Sequence, residues 1–212
     1  MKINLLSFFA IALCALGSCS NYSDKNKEAK ETIKDDAVKK EFKTLNVDEE
    51  WNENPFTFFK GQGLLLCVGD STNNNAMTIG WGALGNVWSK IGLNTVTVYV
   101  AEARYTYEFM EKYDYFTVMA FSKEDARYLG YMGTHSGRDG DKAAHLGLHT
   151  LYTENGTPYY EEAQLVLECH TIYKAPFLID GMSEEVKKFY ENFDAGVHHM
   201  YIGNIVGAWI KK

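Results

Sequence analysis

The chain has 212 residues, with 28 acidic against 21 basic side chains and a formal charge of −7. That balance, with no basic patch, argues against nucleic acid as a partner. Fourteen tyrosines, twelve phenylalanines and four tryptophans point to a packed interior suited to an aromatic ligand.

Residues 1–18 read as an address. Lys2 gives a positive start, and Ile3 to Leu16 is apolar but too short to span a bilayer comfortably. The run ends in Leu16-Gly-Ser-Cys19, small residues before a cysteine, which resembles a bacterial lipoprotein signal. We therefore expect Cys19 to be lipidated and the protein to sit in the cell envelope, anchored to a membrane and facing outside the cytoplasm. Residues 19–50 are dense in Lys, Glu and Asp and read as a charged tether, with Ile33, Ala37 and Phe42 marking at most a frayed helix. Residues 51–212 are long enough for one domain with its own core.

Period-two patterns dominate that domain. Val96, Val98 and Val100 fall on one face of a strand over Leu93 to Val100, with Thr95, Thr97 and Tyr99 on the other. Gln62 to Val68, Tyr115 to Phe121, Ala163 to Tyr173 and His198 to Ile210 are also strand-like. Short helices are expected over Tyr105 to Lys112, Lys123 to Tyr131, Asp139 to Leu146 and Ser183 to Phe193. The last opens on Ser183 followed by two glutamates but lacks a capping box, because Val186 stands at its fourth position. No strand–helix–strand unit repeats, so we expect a mainly β fold, a closed antiparallel barrel with peripheral helices. Cys67 and Cys169 lie in apolar runs, outside any C-x-x-C motif; an exported protein could pair them, but nothing in the sequence puts them within disulfide reach, and they read first as two buried thiols.

Three segments carry the chemistry. In Asn75-Ala-Met-Thr-Ile-Gly-Trp-Gly82, a strand-like run, two glycines flank a tryptophan and can admit a flat ligand close to the backbone. Arg104-Tyr-Thr106 follows the valine strand, where a guanidinium and hydroxyls at a helix start suit a phosphate. Ser136-Gly-Arg-Asp-Gly-Asp-Lys142 is a polar turn opening into a helix. It is neither a P-loop nor an EF-hand. A flat ring system bearing a phosphate fits all three. Each also has a plainer reading, as a kinked core strand, an Arg104–Glu108 surface pair and a capped turn.

These segments, in this order, resemble the Asn-x-Met-Thr-x-x-Trp-Gly, Arg-Tyr-Thr-Tyr-Glu-Phe and Ser-Gly-Arg-Asp-x-Asp-Lys runs of flavin reductase-like proteins. His198-His-Met-Tyr-Ile-Gly203 is similar to that group's late strand. The resemblance covers Trp51 to Trp209 and implies an FMN-binding split β-barrel, antiparallel and of Greek-key type. It implies FMN contacts from Met77, Thr78, Trp81, Ser89, Lys90, Arg104, Tyr105, Thr106, Ser136, Arg138 and Lys142, and a catalytic place for His198. It also implies a homodimer, and hydride or electrons passed from a nicotinamide-type donor through FMN to an acceptor.

The chain departs from the family pattern at Ile91, at Ala101 and at Val197, where an aspartate before the histidine is usual. His198 thus lacks the carboxylate that would orient it. An envelope address conflicts with a supply of reduced nicotinamide, so two rivals stand beside the reductase. One is a non-enzymatic FMN-binding electron carrier fed by a membrane electron donor; the other is a small-molecule-binding module without reductase activity. Metal spacing is absent: His145 and His149 are separated by Gly147, and adjacent His198 and His199 would point to opposite faces of a strand.

Overall fold

The computed structural model describes residues 41–88, 90 and 92–212. The lipidation site Cys19, the signal and most of the tether lie outside the described residues, as does Ser89.

Among the described residues the fold has ten strands and four α-helices. The strands are β1 (Phe42–Thr44), β2 (Leu64–Gly69), β3 (Asn74–Ile79), β4 (Gly82–Val87), β5 (Leu93–Ala101), β6 (Tyr115–Ala120), β7 (Thr150–Tyr152), β8 (Pro158–Tyr160), β9 (Leu165–Pro176) and β10 (His198–Lys211). The helices are α1 (Tyr105–Lys112), α2 (Ala126–Thr134), α3 (Lys142–Leu146) and α4 (Glu184–Glu191). The principal sheet runs β3-β2-β6-β9-β10-β5-β4, all antiparallel, with β1 added to β10. β7 and β8 form a separate hairpin.

The sheet curls around one core. Val96, Val98 and Val100 are fully buried on the inner face of β5, against Leu66, Val68, Phe116, Val118 and Tyr201. Curvature is concentrated in β10, whose pairing with β9 shifts register after Ile202 and again after Ile205. Gly203 at the first bulge has no Cβ because the Phe116 ring and Cys169 occupy that space; an added Cβ would lie 2.6 Å from Phe116 Cζ.

Consecutive strands β3 and β4, only two residues apart, are the two ends of the sheet path and do not pair with each other. The barrel is therefore split, as the resemblance implies, and open along the outer edge of β3. An unpaired strand edge carries free backbone donors and acceptors, and here it is met by α2 and by a cavity.

The domain also starts earlier than composition suggested. Phe42 pairs with Lys211 in the sheet and is 3% exposed, and Leu45 is buried. Phe42 thus lies in a strand, because Phe42 and Leu45 supply apolar surface that β10 and β8 can cover; Ile33 and Ala37, the other marks of the expected frayed helix, lie outside the described residues. Cys67 and Cys169 are free and buried on strands separated by β6, and burial pushes the Cys67 thiol up to about 12. Among the described residues no helix is long and apolar enough to cross a membrane.

Candidate functional site

The Asn75 to Gly82 run is not one strand. β3 ends at Ile79, Gly80 and Trp81 form a corner, and β4 begins at Gly82. Gly82 is required by packing: a Cβ there would fall on the Phe59 ring. Gly80 is open, with nothing nearer its Cβ position than Phe59 O at 3.9 Å. Only Gly80 thus offers the close backbone approach expected of both glycines. The corner turns Trp81 outward, where its ring sits 4.5 Å from the His198 ring and remains 45% exposed.

Asn75 binds the three chemical segments together. Its Nδ2 donates to Thr106 Oγ1 at 2.7 Å, in the first turn of α1. Its Oδ1 lies where a Cβ on residue 137 would be, so Gly137 lets the Ser136–Arg138 turn close over it. Thr106 and Asn75 are both buried. One side chain therefore fixes the order of strand, helix start and turn.

A cavity of about 490 Å³ opens at this junction. One wall is the β3 edge from Met77 to Trp81; another is the α1 start, Arg104 to Thr106; a third is the α2 end and the turn after it, Gly133 to Arg138. His198 and Phe193 complete it. Its size is typical of a small-molecule site, roughly 300–1,000 Å³. No carboxylate lines it among the described residues.

The three cations at the junction differ in what they already hold. Lys142 is 7% exposed, and its ammonium donates to Ala76 O (2.6 Å), His135 O (3.1 Å) and Met132 O (3.2 Å). All three of its protons are taken, and burial lowers its pKa. So engaged, Lys142 staples the open edge of β3 to the α2 end rather than presenting a free donor for the expected phosphate contact. Arg138 is exposed, pairs with Glu108 Oε1 at 2.5 Å, donates to Ala103 O and lies over the Tyr105 ring. The expected Arg104–Glu108 pair is absent, because Glu108 is engaged by Arg138. Arg104 is exposed at the cavity rim and has no carboxylate partner among the described residues.

Hydroxyls expected at the ligand are partly engaged as well. Thr78 Oγ1 donates to Leu129 O at 2.5 Å, with Gly133 making room for its side chain. Its lone pairs, not its proton, are what it offers a ligand. Ser136 Oγ accepts from the Arg138 amide. Lys90 is exposed in the β4–β5 turn, away from the cavity. From Gly82 to Val87 the strand covers six residues, roughly 17–20 Å, so Lys90 cannot reach this cavity in the same chain.

His198 starts β10 opposite Ala101, and its carbonyl accepts from Phe177 N at 2.9 Å. The preceding loop is tied to the α1 approach by Glu102 N to Val197 O and Ala103 N to Ala195 O, which brings the imidazole beside Arg104. Its ring contacts Trp81 and Phe193, and Nδ1 lies 2.9 Å from the Tyr190 hydroxyl. Burial, and then Arg104, lower its pKa and so favour the neutral ring.

A family model for the flavin reductase like domain matches residues 59–212. The chain belongs to the flavin reductase-like family. No curated protein matches it. Among solved structures, it resembles an FMN-binding domain of a flavin reductases-like enzyme from Shewanella baltica OS155, with a TM-score of 0.56 and 15% identity over 80% of this chain and 76% of that one. It also resembles flavoredoxin from Methanosarcina acetivorans, with a TM-score of 0.54 and 21% identity over 70% and 68%. An FMN-binding protein from Thermus thermophilus with bound p-hydroxybenzaldehyde gives 0.53 and 17% over 70% and 71%. These likenesses describe the split-barrel fold.

Within this flavin reductase-like domain, the structure brings Met77, Thr78, Trp81, Arg104, Tyr105, Thr106, Ser136, Arg138, Lys142 and His198 to one cavity. Sequence reading missed Asn75 as the tie between segments, and Tyr190 and Phe193 as neighbours of His198. The signal for the last two was present: Phe189 and Tyr190 lie on a helix that buries no residue, Phe193 follows two residues past its end, and the contacts of these rings lie at the site.

Proposed function

We propose that this protein binds FMN in the cavity beside Trp81 and acts as an oxidoreductase of the flavin reductase type, passing electrons from a nicotinamide-type donor to an acceptor. The carrying observation is Arg104, a guanidinium at an open helix start with no carboxylate partner among the described residues, on a cavity that none of their carboxylates lines. Among the described residues no side chain caps that helix, so the α1 dipole and the Arg104 charge both favour an anion there. The residues present fit the cofactor: a cationic end at Arg104 and the Tyr105 and Thr106 amides for phosphate, and a free strand edge with Gly80 for a flat ring. FMN is also the flavin named for two of the similar structures.

FMN, when bound, supplies the hydride and electron chemistry. The chain would orient it through Arg104, Tyr105, Thr106 and Ser136 at one end and Met77 to Trp81 at the other. Trp81 and Phe193 would exclude water, and neutral His198 would offer a hydrogen bond without adding charge. Lys90, distant in its own chain, would serve the cavity of a neighbouring copy in a homodimer. Lipidation at Cys19 would place the domain in the envelope, and that address favours the electron-carrier reading with a membrane donor.

The deciding experiment removes Arg104. Losing a charge-assisted contact costs on the order of 1.5–3 kcal/mol, about ten- to a hundredfold in affinity. Arg104→Ala should weaken FMN by that factor and leave riboflavin, which has no phosphate, nearly unchanged. Fluorescence quenching reads both affinities. Equal losses for the two flavins would remove Arg104 from the phosphate. Anaerobic addition of reduced nicotinamide to the yellow wild type then separates the two readings: bleaching supports the reductase, and persistent colour the carrier.

A further inference from the structure

The imidazole of His198 has no carboxylate to orient it, since Val197 stands in the usual place, yet its ring is held on three sides. Trp81 and Phe193 pack against it with centroids at 4.5 and 5.1 Å. Tyr190, from the exposed helix α4, approaches Nδ1 at 2.9 Å. Nε2 is the ring nitrogen with no protein partner among the described residues, on a side chain that lines the cavity.

We propose that Tyr190 is the positioning residue of the site: its hydroxyl donates to Nδ1 and holds His198 as the Nε2–H tautomer, so that the cavity meets a neutral N–H donor. Two observations set the direction of the bond. A partly buried phenol 2.9 Å from Nδ1 keeps its proton, because desolvation raises the Tyr190 pKa. A phenol is also the stronger donor of the pair, and a neutral imidazole offers one acceptor nitrogen. With Nδ1 accepting, the ring proton resides on Nε2. The tautomer stands on the protein's own geometry; its consequence, a donor for an electron-rich cofactor, rests on the flavin reading above.

Two-bond proton–nitrogen NMR on uniformly labelled protein without added flavin reads this directly, with the His198 signals assigned by their loss in His198→Gln. The wild type should show an unprotonated, pyridine-like Nδ1 and a protonated Nε2. Tyr190→Phe, which keeps the ring and its packing, should lose that pattern and populate both tautomers; its amide spectrum confirms that the fold persists. A wild-type His198 protonated on Nδ1, or a Tyr190→Phe pattern identical to wild type, overturns the proposal. Adding FMN afterwards should shift the Nε2 signal. A correct tautomer with no flavin binding would instead overturn the flavin reading and leave the positioning role of Tyr190 intact.

Discussion

Gly137 is where the coupling between the three segments is most exposed to test. A Cβ at this position would coincide with Asn75 Oδ1 and would also approach the Tyr105 ring at 3.0 Å. The backbone there needs no left-handed conformation, so Gly137→Ala is a steric perturbation alone. Overpacking of this kind costs about 1–3 kcal/mol. Displacing Asn75 also leaves a buried amide and the Thr106 hydroxyl short of a partner, worth about 1–3 kcal/mol more. Because one movement relieves the clash and breaks the bond, the two overlap, and we expect a loss of about 2–4 kcal/mol. With a urea slope of about 2 kcal/mol/M, the unfolding midpoint should fall by roughly 1–2 M. Gly130→Ala is the control: it is an exposed helical glycine with nothing near its Cβ position, and alanine there should gain about 0.5–1 kcal/mol. If Gly137→Ala unfolds within 0.3 M of wild type, about 0.6 kcal/mol at that slope, Asn75 does not lock the segments together.

Two other outcomes follow from the cations and the turns. Lys142→Met should destabilise the fold by about 2–4 kcal/mol, since two buried carbonyls and one partly buried carbonyl lose their donor; it should leave the ratio of FMN to riboflavin affinity unchanged, and a reduced ratio would return Lys142 to the phosphate. Asp70 caps the β2–β3 turn by accepting from the Thr72 hydroxyl and the Thr72 and Asn73 amides, with Tyr113 on its other oxygen, and these bonds hold its carboxyl well below its usual range. A depressed carboxyl stabilises the fold above its unfolded pKa and loses that contribution as pH falls through the folded one. The stability gap between wild type and Asp70→Ala should therefore be full at pH 7 and narrow below about pH 4; a gap constant from pH 7 to pH 2 would show that the charge is not what holds the turn.

Much of the fold was legible because its strands are long and half-buried. The alternation over residues 93–100 matches a strand whose three valines are all in the core, and the α1 limits agree with those expected. β4 escaped because Gly82-Ala-Leu-Gly-Asn-Val87 contains one β-branched residue and two glycines, and it is a strand only through its pairing with β5. β7 and β8, three residues each, are too short to show a period. β1 was hidden by its charged neighbours, and the breaks at Gly80-Trp81 and in β10 are set by packing on Phe59 and Phe116, which no local pattern reveals.

The site was legible as a set of residues and not as a set of roles, and the cations show why. Arg104, Arg138 and Lys142 all read as anion ligands, since sequence records charge but not which acceptors the fold leaves unpaired. The split in the barrel leaves Ala76 O without a strand partner, and the end of α2 leaves its last carbonyls without an intrahelical one. Buried carbonyls must be met by a donor, and the cation that enters from the interior, Lys142, is consumed by them. Arg138 is half-neutralised by Glu108 one element away. Only the guanidinium that stays outside, at the uncapped start of α1, retains its full charge for a ligand. On the FMN proposal, the same opening that would admit a flat ring would thus also determine which of the three cations is left to meet a phosphate.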